Sequence, residues 1–149
     1  MQARILNQEL TDQIQELFEA QLDQPVELLY FFRNEACATC DEAGQLLDEI
    51  TSLSDRIHLN RYDIDENQLV AQKYNADLTP GLVVAGGGPG EPSDYGIRFA
   101  GIPSGYEFGS LIHTIILVSK RDSGLKPDIR LQLKDLKKPV NLRVFVTPT

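Results

Sequence analysis

The stretch Leu28-Leu29-Tyr30-Phe31-Phe32-Arg33-Asn34-Glu35-Ala36-Cys37-Ala38-Thr39-Cys40 narrows the possible folds of this chain more than any other. An apolar run of strand length ends in a short polar turn. Two cysteines follow with two residues between them, and helical periodicity begins just after. They are the only two cysteines among 149 residues. A short, nearly continuous apolar run reads as a strand buried on both faces, so the pair sits where a central strand hands over to a helix.

The rest of the chain alternates. Leu10, Ile14, Leu17 and Phe18 predict a helix over about residues 8–22, with Asn7 or Thr11 as N-cap. Val26 to Phe32 is the first strand. Ala43, Leu46, Leu47, Ile50 and Leu53 mark one face of a helix ending near Ser52. Ile57, Leu59 and Tyr62 give a second strand. Leu69, Val70 and Tyr74 give a short helix, and Gly81 to Ala85 a third strand. Gly86-Gly87-Gly88-Pro89-Gly90-Glu91-Pro92 is a loop closing a hairpin onto a fourth strand, Tyr95 to Ala100. Phe108, Leu111, Ile112, Ile115 and Ile116 predict a last long helix ending near Lys120. Strands alternating with helices require crossovers and a partly parallel sheet. Beyond Lys120, Ser123-Gly124 reads as a linker, Ile129 to Leu136 as a short helix, and Val140 to Val146 as a strand. That helix-then-strand order echoes residues 8–32.

Net charge is −8. This disfavours nucleic acid and anionic membrane surfaces as partners, because both want a basic face. Met1 to Glu9 shows no apolar stretch of signal-peptide length, and no run approaches a membrane span. The expectation is a cytoplasmic protein. There, a close cysteine pair points to redox or metal chemistry rather than to a structural staple.

A thiolate is the species that attacks a disulfide, and a helix N-terminus with CxxC spacing lowers the thiol pKa from about 8.5 to about 3.5–7.5. The layout places Cys37 at the strand-to-helix junction, with first-turn amides aimed at its sulfur. Cys40 falls one helical turn further, on the inner side. Cys37 is then the exposed nucleophile and Cys40 the resolving thiol. Glu35 and Asp41 oppose thiolate formation through like charge. Thr79-Pro80, opening the third strand, is expected to be a cis bond facing the pair. Proline has no N–H and suits a strand start where a loop approaches the thiols. A zinc site needs about four ligands, and beyond the cysteines only His58 and His113 stand out, far apart in sequence. The glycine loop lacks phosphate-cradling spacing.

Three groups of residues carry a family resemblance: Val26 to Phe32 with Cys37-Ala38-Thr39-Cys40; Thr79-Pro80 with Tyr95 to Phe108; and Val144-Phe145-Val146-Thr147-Pro148-Thr149. Together they resemble the N-terminal unit of the glutaredoxin-like protein disulfide oxidoreductases of archaea and thermophilic bacteria. Those proteins hold two thioredoxin-fold units in one chain.

The resemblance implies an α/β, thioredoxin-like fold. It has a central mixed four-stranded sheet flanked by helices, an extra N-terminal helix and a C-terminal helix-strand tail. It implies a domain over residues 1–120, with residues 121–149 as a linker and the start of a second, truncated unit. It also implies thiol–disulfide exchange, with Cys37 and Cys40 catalytic and Thr79 and Pro80 binding substrate. No cofactor or metal is expected. The implied partners are disulfide-containing protein substrates and a reductase or thiol electron donor, with no nucleic acid and no membrane; the oligomeric state is left open. Thioredoxins carry a buried acid at the place of Phe31, and a different pair of residues at Ala38-Thr39. Two other readings stand beside this one. One is a non-catalytic thioredoxin-fold docking module. The other is the N-terminal part of a flavin-dependent peroxiredoxin reductase, although there the CxxC belongs to the second unit.

Overall fold

The computed structural model describes residues 3–147. In chain order the elements are α1 (Gln8–Gln21), β1 (Val26–Phe32), α2 (Cys40–Thr51), β2 (Ile57–Asp63), α3 (Gln68–Lys73), β3 (Gly81–Gly86), β4 (Ser93–Ala100), α4 (Tyr106–Lys120) and α5 (Pro127–Lys134). The four strands form one sheet in the order β2-β1-β3-β4. β1 runs parallel to β2 and antiparallel to β3, and β4 is antiparallel to β3. This is the mixed sheet that the alternation implied.

β1 lies in the middle and its side chains are buried on both faces. Val26, Leu28 and Tyr30 point to the larger core, with Phe18 of α1, Leu46, Leu47 and Ile50 of α2, and Leu111 and Ile115 of α4. Leu29 and Phe31 point to the smaller core, against Ile64, Ala71 and Tyr74. The N-cap of α1 is Asn7, whose side chain accepts from the Leu10 amide at 2.8 Å. α4 stops at Arg121, which takes a left-handed conformation at φ 54°.

Two elements differ from the sequence expectation. α2 begins at Cys40, so Cys37 lies in the turn before the helix and does not start it. The backbone is left-handed at Ala36, φ 56°, and Thr39 takes φ −119°, ψ 4°, outside the helical region. The apolar period of α2 starts only at Ala43, so it could not locate this break. The second difference is the tail. α5 forms, but Val140 to Val146 make no strand ladder. Leu142 and Phe145 are 85% and 89% exposed. A strand is held by a neighbouring edge and an apolar face, and this segment has neither. The closing residues Pro148 and Thr149 lie outside the described residues.

Candidate active site

The register sets the site. Parallel pairing places the C-terminal ends of β1 and β2 together, with Phe32 opposite Asp63. Antiparallel pairing places Gly81, the first residue of β3, opposite Phe31. The cysteine turn that follows β1 and the Thr79-Pro80 loop that precedes β3 therefore share one end of the sheet. Thr79-Pro80 is a cis bond. Pro80 is buried, and its carbonyl accepts from the Gly101 amide at 2.8 Å. A Cβ on Gly81 would lie 2.5 Å from the Leu78 carbonyl oxygen. Only glycine lets that loop fold back over the strand start.

Cys37 and Cys40 are joined in a disulfide, Cα to Cα 5.5 Å. The two ends of the bond are unequal. Cys40 is 4% exposed, in the first turn of α2. Cys37 is half-buried, and its neighbours Glu35, Ala36, Ala38 and Thr39 are exposed. Thr39, the N-cap of α2, makes no side-chain cap bond. The first turn of α2, which begins at Cys40, therefore has no side-chain cap from Thr39. Phe31 is fully buried, with Tyr62 and Tyr74 rings at 5.4 and 6.2 Å. An aromatic cluster therefore occupies the place where thioredoxins carry an acid.

Two polar fixtures escaped the sequence reading. The Tyr30 hydroxyl donates to the Cys40 carbonyl at 2.5 Å. Asp63, 7% exposed, accepts from the Asn34 side-chain amide at 2.6 Å and from the Asp65 backbone amide at 2.9 Å. Asp63 thereby ties the loop leading to Cys37 to the loop after β2. The only sequence sign of Tyr30 is a tyrosine inside an otherwise hydrocarbon run. The sign of Asp63 is an acid closing an alternating strand. His58 and His113 do not converge on the cysteines: His58 bonds Glu27 at 2.9 Å and His113 is exposed on α4. Among the described residues, no group of three or more His, Cys, Asp or Glu side chains is placed to hold a metal ion.

Fold and site together define a thioredoxin-like domain that presents a CxxC dithiol–disulfide couple, a redox-active type of centre. No protein-family model matches the chain. It is similar to the alkyl hydroperoxide reductase AhpF of Staphylococcus epidermidis, 32% identical over 97% of this chain and 25% of the relative. The same protein from Staphylococcus aureus is 30% identical over the same shares. The chain thus spans a quarter of the length of these curated relatives. Among solved structures, it superposes on the NTD_N/C domain of AhpF from Enterococcus faecalis with a TM-score of 0.77, 26% identity and coverage of 89% of this chain and 62% of that one. The protein disulfide oxidoreductase of Aeropyrum pernix shares the fold, with a TM-score of 0.76, 22% identity and coverage of 90% and 57%. No helix among the described residues is long and apolar enough to cross a membrane.

Proposed function

We propose that this chain is a thiol–disulfide oxidoreductase of the glutaredoxin/thioredoxin type. In the reduced state the Cys37 thiolate attacks a substrate disulfide. One substrate sulfur leaves as a thiol, and the other stays bonded to Cys37. Cys40 then attacks the Cys37 sulfur, closing the protein disulfide and releasing the second thiol. The observation that carries the reading is the asymmetry of the pair: one cysteine reaches solvent, and its bonded partner is buried in the first helical turn. Thr79 and Pro80 form the wall on which the substrate chain docks. Disulfide-bearing proteins serve as substrates, and a reductase or thiol supplies electrons, in the cytoplasm.

A second reading rests on the similarity to the alkyl hydroperoxide reductases. In it the chain is one unit of a longer polypeptide and passes electrons between a reductase and a partner. Residues 121–149 then link to, and open, a second thioredoxin-like unit. The exposed apolar side chains after α5 favour this.

The test is trapping. Cys37→Ser should abolish exchange with a protein disulfide, while Cys40→Ser should accumulate mixed disulfides, seen as adducts by mass spectrometry. Equal trapping by both variants would contradict the assigned order.

A further inference from the structure

Tyr30 is the buried ionisable group nearest to the cysteine chemistry that the exchange mechanism leaves unused. It is 1% exposed on the central strand, below the start of α2. Its hydroxyl donates to the carbonyl of Cys40, not of Cys37. Its ring stacks on Phe32 at 5.7 Å, and the Arg61 guanidinium lies 5.6 Å from the ring centre. Arg61 also reaches α2, donating to the Gly44 carbonyl at 3.2 Å and to Asp48 at 2.6 Å.

Gly44 completes the fit. A Cβ there would lie 3.3 Å from Tyr30 Cε1 and 2.8 Å from Arg61 Nη1. Glycine inside a helix costs roughly 1 kcal/mol relative to alanine. Here it allows the first turns of α2 to rest directly on the tyrosine and the arginine. Burial pushes the Tyr30 hydroxyl up to about 12; the Arg61 charge opposes that rise and Asp41 adds to it. The group therefore keeps its proton wherever thiols exchange, and its O–H stays available to the Cys40 carbonyl.

We propose that Tyr30 is a positioning residue for the resolving cysteine. By fixing the Cys40 backbone from beneath, it holds the Cys40 sulfur in line with Cys37. It acts on the second step of exchange and leaves the first nearly untouched. In that step the Cys40 thiolate attacks the Cys37 sulfur of the mixed disulfide. The Cys37–Cys40 bond forms and the Cys37–substrate bond breaks. The electron pair departs on the substrate sulfur, which takes up, through solvent, the proton that Cys40 gave up. The proposal rests on the exchange reading and adds a division of labour within it.

The experiment is a single turnover of the reduced protein with dithiobis(nitrobenzoate), followed by the yellow thiolate. The first release reports attack by Cys37, and the second reports closure by Cys40. Tyr30→Phe keeps the ring and deletes the donor. It should slow the second release about five- to ten-fold, the kinetic equivalent of one neutral hydrogen bond, and change the first by less than about twofold. Gly44→Ala leaves the hydroxyl in place but crowds the Tyr30 ring edge at 3.3 Å and displaces the Arg61 guanidinium, and should slow the second release by a smaller factor with the same selectivity. Tyr95→Phe, on exposed β4, is the control and should alter neither. If Tyr30→Phe and Gly44→Ala slow both releases alike, or leave the second at the wild-type rate, Tyr30 is not a positioning residue and the exchange reading stands. If the wild-type protein gives no release at all, both fail.

Discussion

The two ends of the sheet are held by different means. At the end remote from the cysteines, side chains reach into main-chain groups. The Ser119 hydroxyl, fully buried, accepts from the Asp23 and Gln24 amides at 2.9 and 3.0 Å and donates to the Gln24 carbonyl at 2.6 Å. Arg121 donates to the carbonyls of Pro25 and Gly87 at 3.0 and 2.7 Å, and also to that of Val118. Gly86 leaves room for it: a Cβ there would lie 2.8 Å from the Arg121 guanidinium carbon. At the cysteine end the polar links centre on Asp63 and Tyr30. They tie strand ends to the loop and helix that follow, and α2, α3 and α4 all start there without a side-chain cap. One end spends its polar groups on closing the fold. The other keeps helix amides and a half-exposed sulfur available. Stability and reactivity should therefore respond to different mutations.

The sharpest separation comes from Ser119→Ala. It removes three part-buried hydrogen bonds made by a fully buried hydroxyl and leaves two amides and a carbonyl without that partner. Buried groups left this way cost about 1–3 kcal/mol each when no water replaces the partner. A total loss of about 2–3 kcal/mol corresponds to a fall of roughly 5–10 °C in Tm for a domain of this size. Both releases in the single-turnover assay should stay at wild-type rates below the melting range. A changed first release would break the division between the two ends. Asp63→Ala is the mirror experiment at the cysteine end. It frees Asn34 and the Asp65 amide near a wetter surface, so the loss should be smaller, about 1–2 kcal/mol by chemical denaturation. It should, however, slow the first release several-fold, because the loop that presents Cys37 loses its tie. If Asp63→Ala costs stability alone, the cysteine end is not a reactivity fixture.

The sequence showed much of this scaffold and little of its polar wiring. Strand and helix order came from apolar periodicity, because packing on two faces of a sheet writes itself into which positions are apolar. The cis bond at Thr79-Pro80 could be expected, because proline opening a strand beside a CxxC narrows the options. The start of α2 could not be read: it depends on the left-handed Ala36 and on a turn whose residues carry no periodicity. Tyr30 counted as core, which it is, yet its hydroxyl reaches the next element, ten residues on. Asp63 and Ser119 were illegible for the same reason. Each is an ordinary polar residue whose importance lies in the loop that the fold folds back onto it. The tail shows the converse. Val140 to Val146 carries strand-forming residues, but propensity alone does not hold a strand without a neighbouring edge.

The smallest expected effect concerns Glu49, nine residues into α2 from Cys40, or about 13 Å along the helix axis. It belongs with the fold-closing groups, because its carboxylate accepts from the Ile5 and Leu6 amides at 2.9 and 2.8 Å and so fastens the N-terminal segment. Partial desolvation works to raise its pKa. The bonds from Leu6 and Ile5, with help from Gln45 and Arg4, outweigh this and hold the carboxyl below its ordinary value. A carboxylate depressed in the folded state adds stability at pH above its unfolded pKa, about 4.3, and the contribution is lost as pH falls through the lower folded value. Glu49→Gln should therefore flatten the acid limb of the stability curve below about pH 5, measured by denaturant midpoints from pH 3 to 7. The amide can still accept one hydrogen bond, so the loss at neutral pH should be slight, and both release rates should match the wild type. An unchanged acid limb would mean that the segment is fastened by Leu6 burial and not by charge. A slower second release would mean that α2 transmits strain along its length to Cys40, and the two ends would then no longer be independent.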